Sequence, residues 1–263
     1  MKRYLYNYQT VVTFSQPIAN HYLLLRCQPM SGTYMRIDEE HLIVSPGYRV
    51  CRGIDAFGNR LVYGGQREEH TTLAYVSTGI VEMSQYVSRT DRGISPMYLT
   101  DTPLTMLDLG QAAAWLETSR GLFPSKDTGQ AEKAMAICHH VYGIMSYMPL
   151  TTTVDTPAKE IFNVRRGVCQ DYAHLMIALC RLCSIPARYV CGFVEGTGET
   201  HAWVEIHDGY SWLGFDPTND RRITYGYVKL AHGRDASDCP VNRGVYLGNA
   251  TQQNIVGVTL VEL

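Results

Sequence analysis

The chain has 263 residues, 45% of them hydrophobic and 18% charged, with a formal net charge of -2. That is enough chain for one large or two modest domains around a substantial core, and the balanced charge excludes both a basic nucleic-acid footprint and an acidic tail. The eight cysteines lack the spacing of a secreted disulfide scaffold, and no unbroken apolar stretch reads as a signal peptide or membrane span, so the chain reads as a reduced, cytoplasmic protein of bacterial kind with neither nucleic acid nor membrane as a partner.

Residues 1 to about 95 read as short strands. Tyr4-Leu5-Tyr6-Asn7-Tyr8, Val11-Val12-Thr13-Phe14, Tyr22-Leu23-Leu24-Leu25, Leu42-Ile43-Val44 and Leu73-Ala74-Tyr75-Val76 are rich in β-branched and aromatic residues. Turn signals separate them at Ser45-Pro46-Gly47, Phe57-Gly58-Asn59 and Gly64-Gly65. The pattern predicts an antiparallel, β-sandwich-like domain over 1–95. His70, after Glu68 and Glu69, reads as a surface or turn residue.

From about Asp101-Thr102-Pro103 the composition shifts, and residues 96–263 read as a second domain. Helices are predicted over Leu109 to Glu117, over Gln130 to Tyr147, and from the Thr156-Pro157 start signal to Asn163. A fourth helix follows Gly167. Its apolar residues, Tyr172, Ala173, Met176, Ile177, Leu179, Cys180 and Cys183, recur at helical spacing until Ser184-Ile185-Pro186 stops it. Cys169 therefore opens a buried helix. The unpaired N–H groups and positive dipole end there favour a thiolate, the nucleophilic form of cysteine. Alone, such a cysteine is as much a packing residue as a reactive one.

After Pro186 the period becomes two. Ala187 to Val194 and His201 to His207 read as strands, and Asp208-Gly209 signals a hairpin back through Tyr210 to Asp216. With Asp208 and Gly209 as the two turn residues, Glu205 faces Trp212, Trp203 faces Gly214, and His201 faces Asp216. Opposed residues have Cβ atoms about 4.5–5.5 Å apart, within reach of an imidazole–carboxylate hydrogen bond. A carboxylate so placed orients the imidazole and stabilises its protonated form. Cys169 as nucleophile, His201 as base and Asp216 as orienting acid make a thiol triad. Gly214 in this register leaves room for the Trp203 indole.

Metal chemistry finds no support. Cys180-Arg181-Leu182-Cys183 lacks a second ligand pair and lies on an apolar face, and the adjacent His139 and His140 point to different sides of one helix. No metal or organic cofactor is expected. Gln170, on the first turn beside Cys169, is a candidate substrate contact; Asp171 compensates the helix dipole. Trp203 and Trp212 either wall a cleft or pack. His174 reads as structural.

The blocks Gly167-Val168-Cys169-Gln170-Asp171-Tyr172-Ala173-His174-Leu175, Ile185-Pro186-Ala187-Arg188-Tyr189-Val190, His201-Ala202-Trp203-Val204-Glu205 and Gly214-Phe215-Asp216-Pro217-Thr218-Asn219 resemble the bacterial transglutaminase-like superfamily of thiol enzymes. Gly233-Arg234-Asp235 and Val241-Asn242-Arg243-Gly244 are similar to the family's tail, and Phe57-Gly58-Asn59 resembles its β-rich N-terminal region. The resemblance implies an α+β fold: an N-terminal antiparallel β-sandwich-like domain, then a papain-like core whose nucleophile helix packs on an antiparallel sheet. It implies Cys169, His201 and Asp216 in the triad roles, and a peptide or protein substrate cleaved through a thioester. It suggests Arg234 near the site, paired with Asp235. Hydrolysis and amine transfer share the same acyl-enzyme; a peptidase or amidase is the expectation, a protein-glutamine amine transferase the alternative, and a non-catalytic binding module that keeps the fold the rival from another class.

Overall fold

The computed structural model describes residues 1–89, 94–123, 125 and 127–263. The fold is α+β and has three layers. The middle layer is a six-stranded antiparallel sheet. Its central order is Arg221–Arg222, Ser211–Asp216, His201–His207, Ala187–Val194, Tyr227–Gly233, with Val87–Arg89 also pairing to the 211–216 strand. Four α-helices are described: α1 (Leu109–Leu122), α2 (Gln130–Ile144), α3 (Ala158–Val164) and α4 (Cys169–Leu182). Helix α4 packs on one face of the middle sheet through Leu175, Met176 and Leu179 against Ala202, Val204, Ile206 and Phe215.

The other face of that sheet is covered by a second, larger antiparallel sheet. Its axis is a single strand, Lys2–Leu25, whose register breaks between Thr13 and Ile18. The first half pairs with His70–Met83 and Gln252–Glu262, the second with Arg60–Gln66 and Asn242–Leu247. Period-two alternation sends Tyr4, Tyr6 and Tyr8 inward, each fully buried. Tyr6 and Tyr8 pack on Phe193 of the middle sheet, with ring centroids 5.8 and 5.1 Å apart. Thus the strands of the middle sheet are buried on both faces. Trp203 belongs to the inter-sheet core and Ala202 and Val204 to the helix side. This explains why Glu205 and His207, polar members of an alternating strand, are also buried.

The larger sheet is not made by residues 1–95 alone. Gly196–Gly198, Asn242–Leu247 and Gln252–Glu262, from the stretch read as the second domain, complete it. Its turn at Asp55–Asn59 reaches into the other unit. Asn59 is fully buried; its Nδ2 donates to the His232 carbonyl (2.8 Å) and its Oδ1 accepts from the His232 N–H (2.9 Å). Asp55 accepts from Asn59 and from Arg26, and Arg26 also donates to the Pro240 carbonyl at 3.0 Å. Both ends of the 232–240 segment are therefore pinned by the N-terminal sheet.

His70 is buried, contrary to the surface reading. It meets Tyr48 Oη at 2.8 Å and His21 Nδ1 at 3.3 Å in a small polar cluster. Its turn position hid this: the cluster is assembled from two strands and the Tyr48 loop, distant in sequence. His139 and His140 do diverge, His139 to Asp220 (2.7 Å) and His140 against the Trp115 ring. No described helix is long and apolar enough to cross a membrane.

Candidate active site

Helix α4 begins at Cys169 with Val168 as its N-cap residue, so the side chain that usually caps is missing. Asp171 replaces it. Its Oδ2 accepts from the Val168 N–H and the Thr152 hydroxyl, each at 2.7 Å. A Cβ at position 167 would fall on the Asp171 carboxylate, which is why the preceding residue is glycine. Burial raises the Asp171 carboxyl above its ordinary range, with the two hydrogen bonds opposing. Asp171 is thus a capping residue that fixes where the helix, and hence Cys169, starts. Cys169 itself is half-buried.

His201 opens its strand at the mouth of the middle sheet. Its Nε2 lies 2.8 Å from Asp216 Oδ2, and Cys169 lies near enough to the same ring to favour its protonated form, so the structure brings the three residues into one neighbourhood. Asp216 is fully buried and saturated with donors. Oδ2 also accepts from Asn219 Nδ2 and Tyr227 Oη, both at 2.7 Å, and Oδ1 accepts from the Thr218 N–H at 2.9 Å and the Asn219 N–H at 3.3 Å. Burial opposes ionisation of Asp216, yet His201 and these donors hold its carboxyl below the usual range. Burial likewise pushes His201 down, but the hydrogen bonds and charges of Asp216 and Cys169 outweigh it and carry the imidazole up to about 10. The ring is therefore an imidazolium at neutral pH.

The hairpin that delivers His201 and Asp216 differs from the expected one. Observed pairs are His207 with Trp212, Glu205 with Gly214 and Val204 with Phe215. The chain reverses one step later, with Asp208 N–H donating to the Ser211 carbonyl and Gly209 at φ +107°. Asp208 is not a turn centre because its Oδ1 accepts the Tyr210 and Ser211 N–H groups and so closes the turn from outside. The register moves by two residues. Since strand parity is two, every side chain keeps its face, and Asp216 reaches His201 diagonally rather than directly.

The shift reassigns the glycine. A Cβ on Gly214 would meet Tyr86 and Ile223, whereas one on Gly192 would come within 2.6 Å of the Trp203 indole. Gly192, not Gly214, makes room for that ring. Trp203 is fully buried and does not line a cleft; it lies behind His201 with the two rings nearly parallel (24°), and its Nε1 donates to Tyr86 Oη at 3.0 Å. Trp212 packs under the Arg188 guanidinium, 4.0 Å from its centroid.

A cleft of about 430 Å³ reaches Gln170 and Thr200, the neighbours in sequence of Cys169 and His201, and is also lined by Val154, Tyr189, Ser237 and Asn242; Cys169 and His201 do not themselves line it. Gln170 lines it and donates from Nε2 to the Val154 carbonyl at 2.9 Å, tying the 152–155 loop to the helix start. Arg234 does not face this cleft. It pairs with Asp238 at 2.9 and 3.0 Å rather than with Asp235, whose carboxylate accepts from the Ser237 N–H and hydroxyl. An Asp four residues on meets the arginine more squarely than an adjacent one. His174 holds the same loop from beneath: its Nε2 accepts the Ala236 N–H at 3.1 Å, and burial lowers it to about 4, so it stays neutral.

Tyr227 and Asn219 escaped the sequence reading as partners of Asp216. Asn219 carried a signal, since Asp-Pro-Thr-Asn is an Asx-turn sequence whose carboxylate binds the N–H two residues on. Tyr227 carried none. It comes from a strand on the far edge of the sheet.

Residues 119–217 match the Transglutaminase-like superfamily, and residues 4–82 match the Bacterial transglutaminase-like N-terminal region. The chain belongs to the bacterial transglutaminase-like superfamily. Among its relatives, uncharacterized protein ML0607 of Mycobacterium leprae is 28% identical over 95% of each chain. Uncharacterized protein Rv2569c of Mycobacterium tuberculosis is 25% identical over 98% of this chain and 91% of the relative. The crystal structure of a candidate cysteine protease from Cytophaga hutchinsonii superposes with a TM-score of 0.80 at 26% identity, covering 100% of this chain and 92% of the other.

Proposed function

We infer that the protein is a thiol acyl-transfer enzyme, a cysteine peptidase or amidase that works through a thioester. The observation that carries this reading is the line Cys169, His201, Asp216, in which a helix-opening thiol meets an imidazolium backed by a buried carboxylate. The Cys169 sulfur attacks a peptide or carboxamide carbonyl and a C–S bond forms. The oxyanion develops at the start of α4, where the Cys169 N–H has no acceptor among the described residues. His201 gives its proton to the departing amine, and the C–N bond breaks. Water, deprotonated by the now neutral imidazole, attacks the thioester and releases the acid and the thiol. The name of the Cytophaga neighbour supports hydrolysis. Transfer to an amine would use the same intermediate, with a primary amine in place of water.

The test is a glutamine- or peptide-bond substrate pool incubated with wild type and Cys169→Ala. Wild type should yield a Cys169 thioester detectable by mass and release amine or ammonia; the variant should yield neither. Added primary amine that appears in the product would make the enzyme a transferase. If iodoacetamide alkylates Cys169 no faster than the exposed Cys51, the nucleophile assignment fails.

A further inference from the structure

A second polar cluster lies between the two sheets, behind His201. Glu205 is fully buried and receives Arg188 Nε at 2.6 Å, Lys229 Nζ at 2.5 Å and Tyr86 Oη at 2.6 Å. One carboxylate faces two cations, and among the described residues neither cation has another carboxylate partner. The cluster therefore keeps one positive charge in excess. Arg188 and Lys229 are 7% and 4% exposed, so solvent does little to balance it. A buried charge without a counter-charge is costly.

A cavity of about 190 Å³ opens against this cluster, lined by Ser31, Tyr34, Arg188, Trp212, Lys229 and His232, and no carboxylate lines it among the described residues. His232 is more than nine-tenths buried, and its Nδ1 has no hydrogen-bond partner among the described residues. Two buried cations that share one carboxylate on the wall of a cavity without carboxylates point to a missing anion. At about 30 Å³ per liquid water the volume exceeds what one or two waters fill. The planar Arg188 fork and the Lys229 ammonium are the groups that recognise phosphate-like oxyanions.

We propose that this cavity binds a phosphate-sized oxyanion, held by Arg188 and Lys229 with the His232 ring on its wall. The site is separate from the cleft at Gln170 and its walls come from both units: Tyr34 from the bend before the Met35–Ser45 strand, Arg188 and Lys229 from the middle sheet. The ion balances the charge that Glu205 leaves over. Glu205 orients Tyr86, whose hydroxyl accepts the Trp203 Nε1–H behind the His201 ring, so occupancy would steady the backing of His201.

The test is thermal unfolding and calorimetry of the whole chain in inorganic phosphate, in glycerol phosphate, in acetate and in chloride at matched ionic strength. Phosphate, or its monoester, should raise Tm by about 5–10 °C at a hundredfold excess over Kd, and the tighter of the two identifies free ion or ester as the natural form. His232→Leu, which keeps the Glu205 pairs, should weaken binding at least tenfold, and Arg188→Met should abolish it. Should Arg188→Met fail to fold, His232→Leu decides. An equal shift in chloride, a preference for acetate, no shift at all, or undiminished affinity in His232→Leu would each overturn the site. Alkylating Cys169 beforehand should leave the result unchanged, which separates this proposal from the acyl-transfer reading.

Discussion

Replacing Asp216 by asparagine tests the site at one atom. The carboxylate accepts five hydrogen bonds, three on Oδ2 and two on Oδ1. An asparagine must put its NH2 group on one side. On the Oδ1 side it would face the Thr218 and Asn219 backbone N–H groups, which cannot reverse. It must therefore take the Oδ2 side, facing His201 Nε2. A donor there forces the imidazole to present its Nε2 lone pair, so the ring proton moves to Nδ1, the nitrogen left to face Cys169. The ring is then held neutral, with its one proton on Nδ1, and the imidazolium that faces the sulfur in the wild type is lost. It also loses the charge that stabilises the imidazolium. The equivalent exchange in a Ser-His-Asp triad drops kcat about 10⁴-fold, equal to about 5.5 kcal/mol of barrier. We expect a loss of 10³–10⁴-fold here, read as the second-order rate of Cys169 alkylation at neutral pH and as turnover of a trapped-thioester substrate, with circular dichroism confirming the fold. Retention of activity within tenfold of wild type would refute the argument, because the tautomer would then not matter.

The pH dependence follows from the same ring. With His201 held at about 10, activity should have an alkaline limb near pH 10, and in Asp216→Asn that limb should move down by roughly 2 units because part of the upward pull is gone. The folded-state value lies above the ordinary 6.5. The corresponding stability is therefore full below about pH 6.5 and is lost as pH rises towards 10, on the order of 3–5 kcal/mol, read as a falling urea midpoint in wild type and a flatter one in the variant. Asn59→Ala leaves the buried N–H and C=O of His232 unpaired. It should cost about 3 kcal/mol, lower Tm by about 10 °C, and reduce activity by loosening the 232–240 wall of the cleft. Gly192→Ala drives a methyl into the Val228 carbonyl and the Trp203 indole; a loss of about 1–3 kcal/mol and a larger fall in activity than in Gly143→Ala, a site with open space, is the outcome.

Much of the site was legible because it rests on local patterns. Helical periodicity ending at Pro186 placed Cys169 at a helix start, and period two placed His201 and Asp216 on one face. The turn was misjudged by one step, yet the face assignment survived, since a two-residue slip preserves strand parity. Errors arose where a side chain's surroundings come from elsewhere in the chain. Trp203 reads as a cleft wall only if that face of the strand is open, and the N-terminal sheet covers it. His70 reads as a turn residue until Tyr48 from a loop and His21 from another strand arrive. Arg234 sits beside Asp235 in sequence, but the loop turns it to Asp238.

The division at residue 95 has the same physical origin. Composition marks where strands give way to helices, but not which sheet a late strand will join. Gln252–Glu262 alternates like any exposed strand, and eleven of its residues pair with Tyr4 to Phe14 at the other end of the chain. That pairing gives the N-terminal sheet a mechanical hold on the site. Arg26, Asp55 and Asn59 grip the 232–240 segment, and that segment carries Ser237 and Cys239 into the cleft and rests Ala236 on His174 at the back of α4. The β-rich unit thus holds one wall of the cleft in place. A truncation that removes it would unpin one wall and expose the Trp203 face together, so the C-terminal unit expressed alone should be both unstable and inactive, whereas Asn59→Ala should loosen the wall while the sheet interface stays packed, and so should still fold.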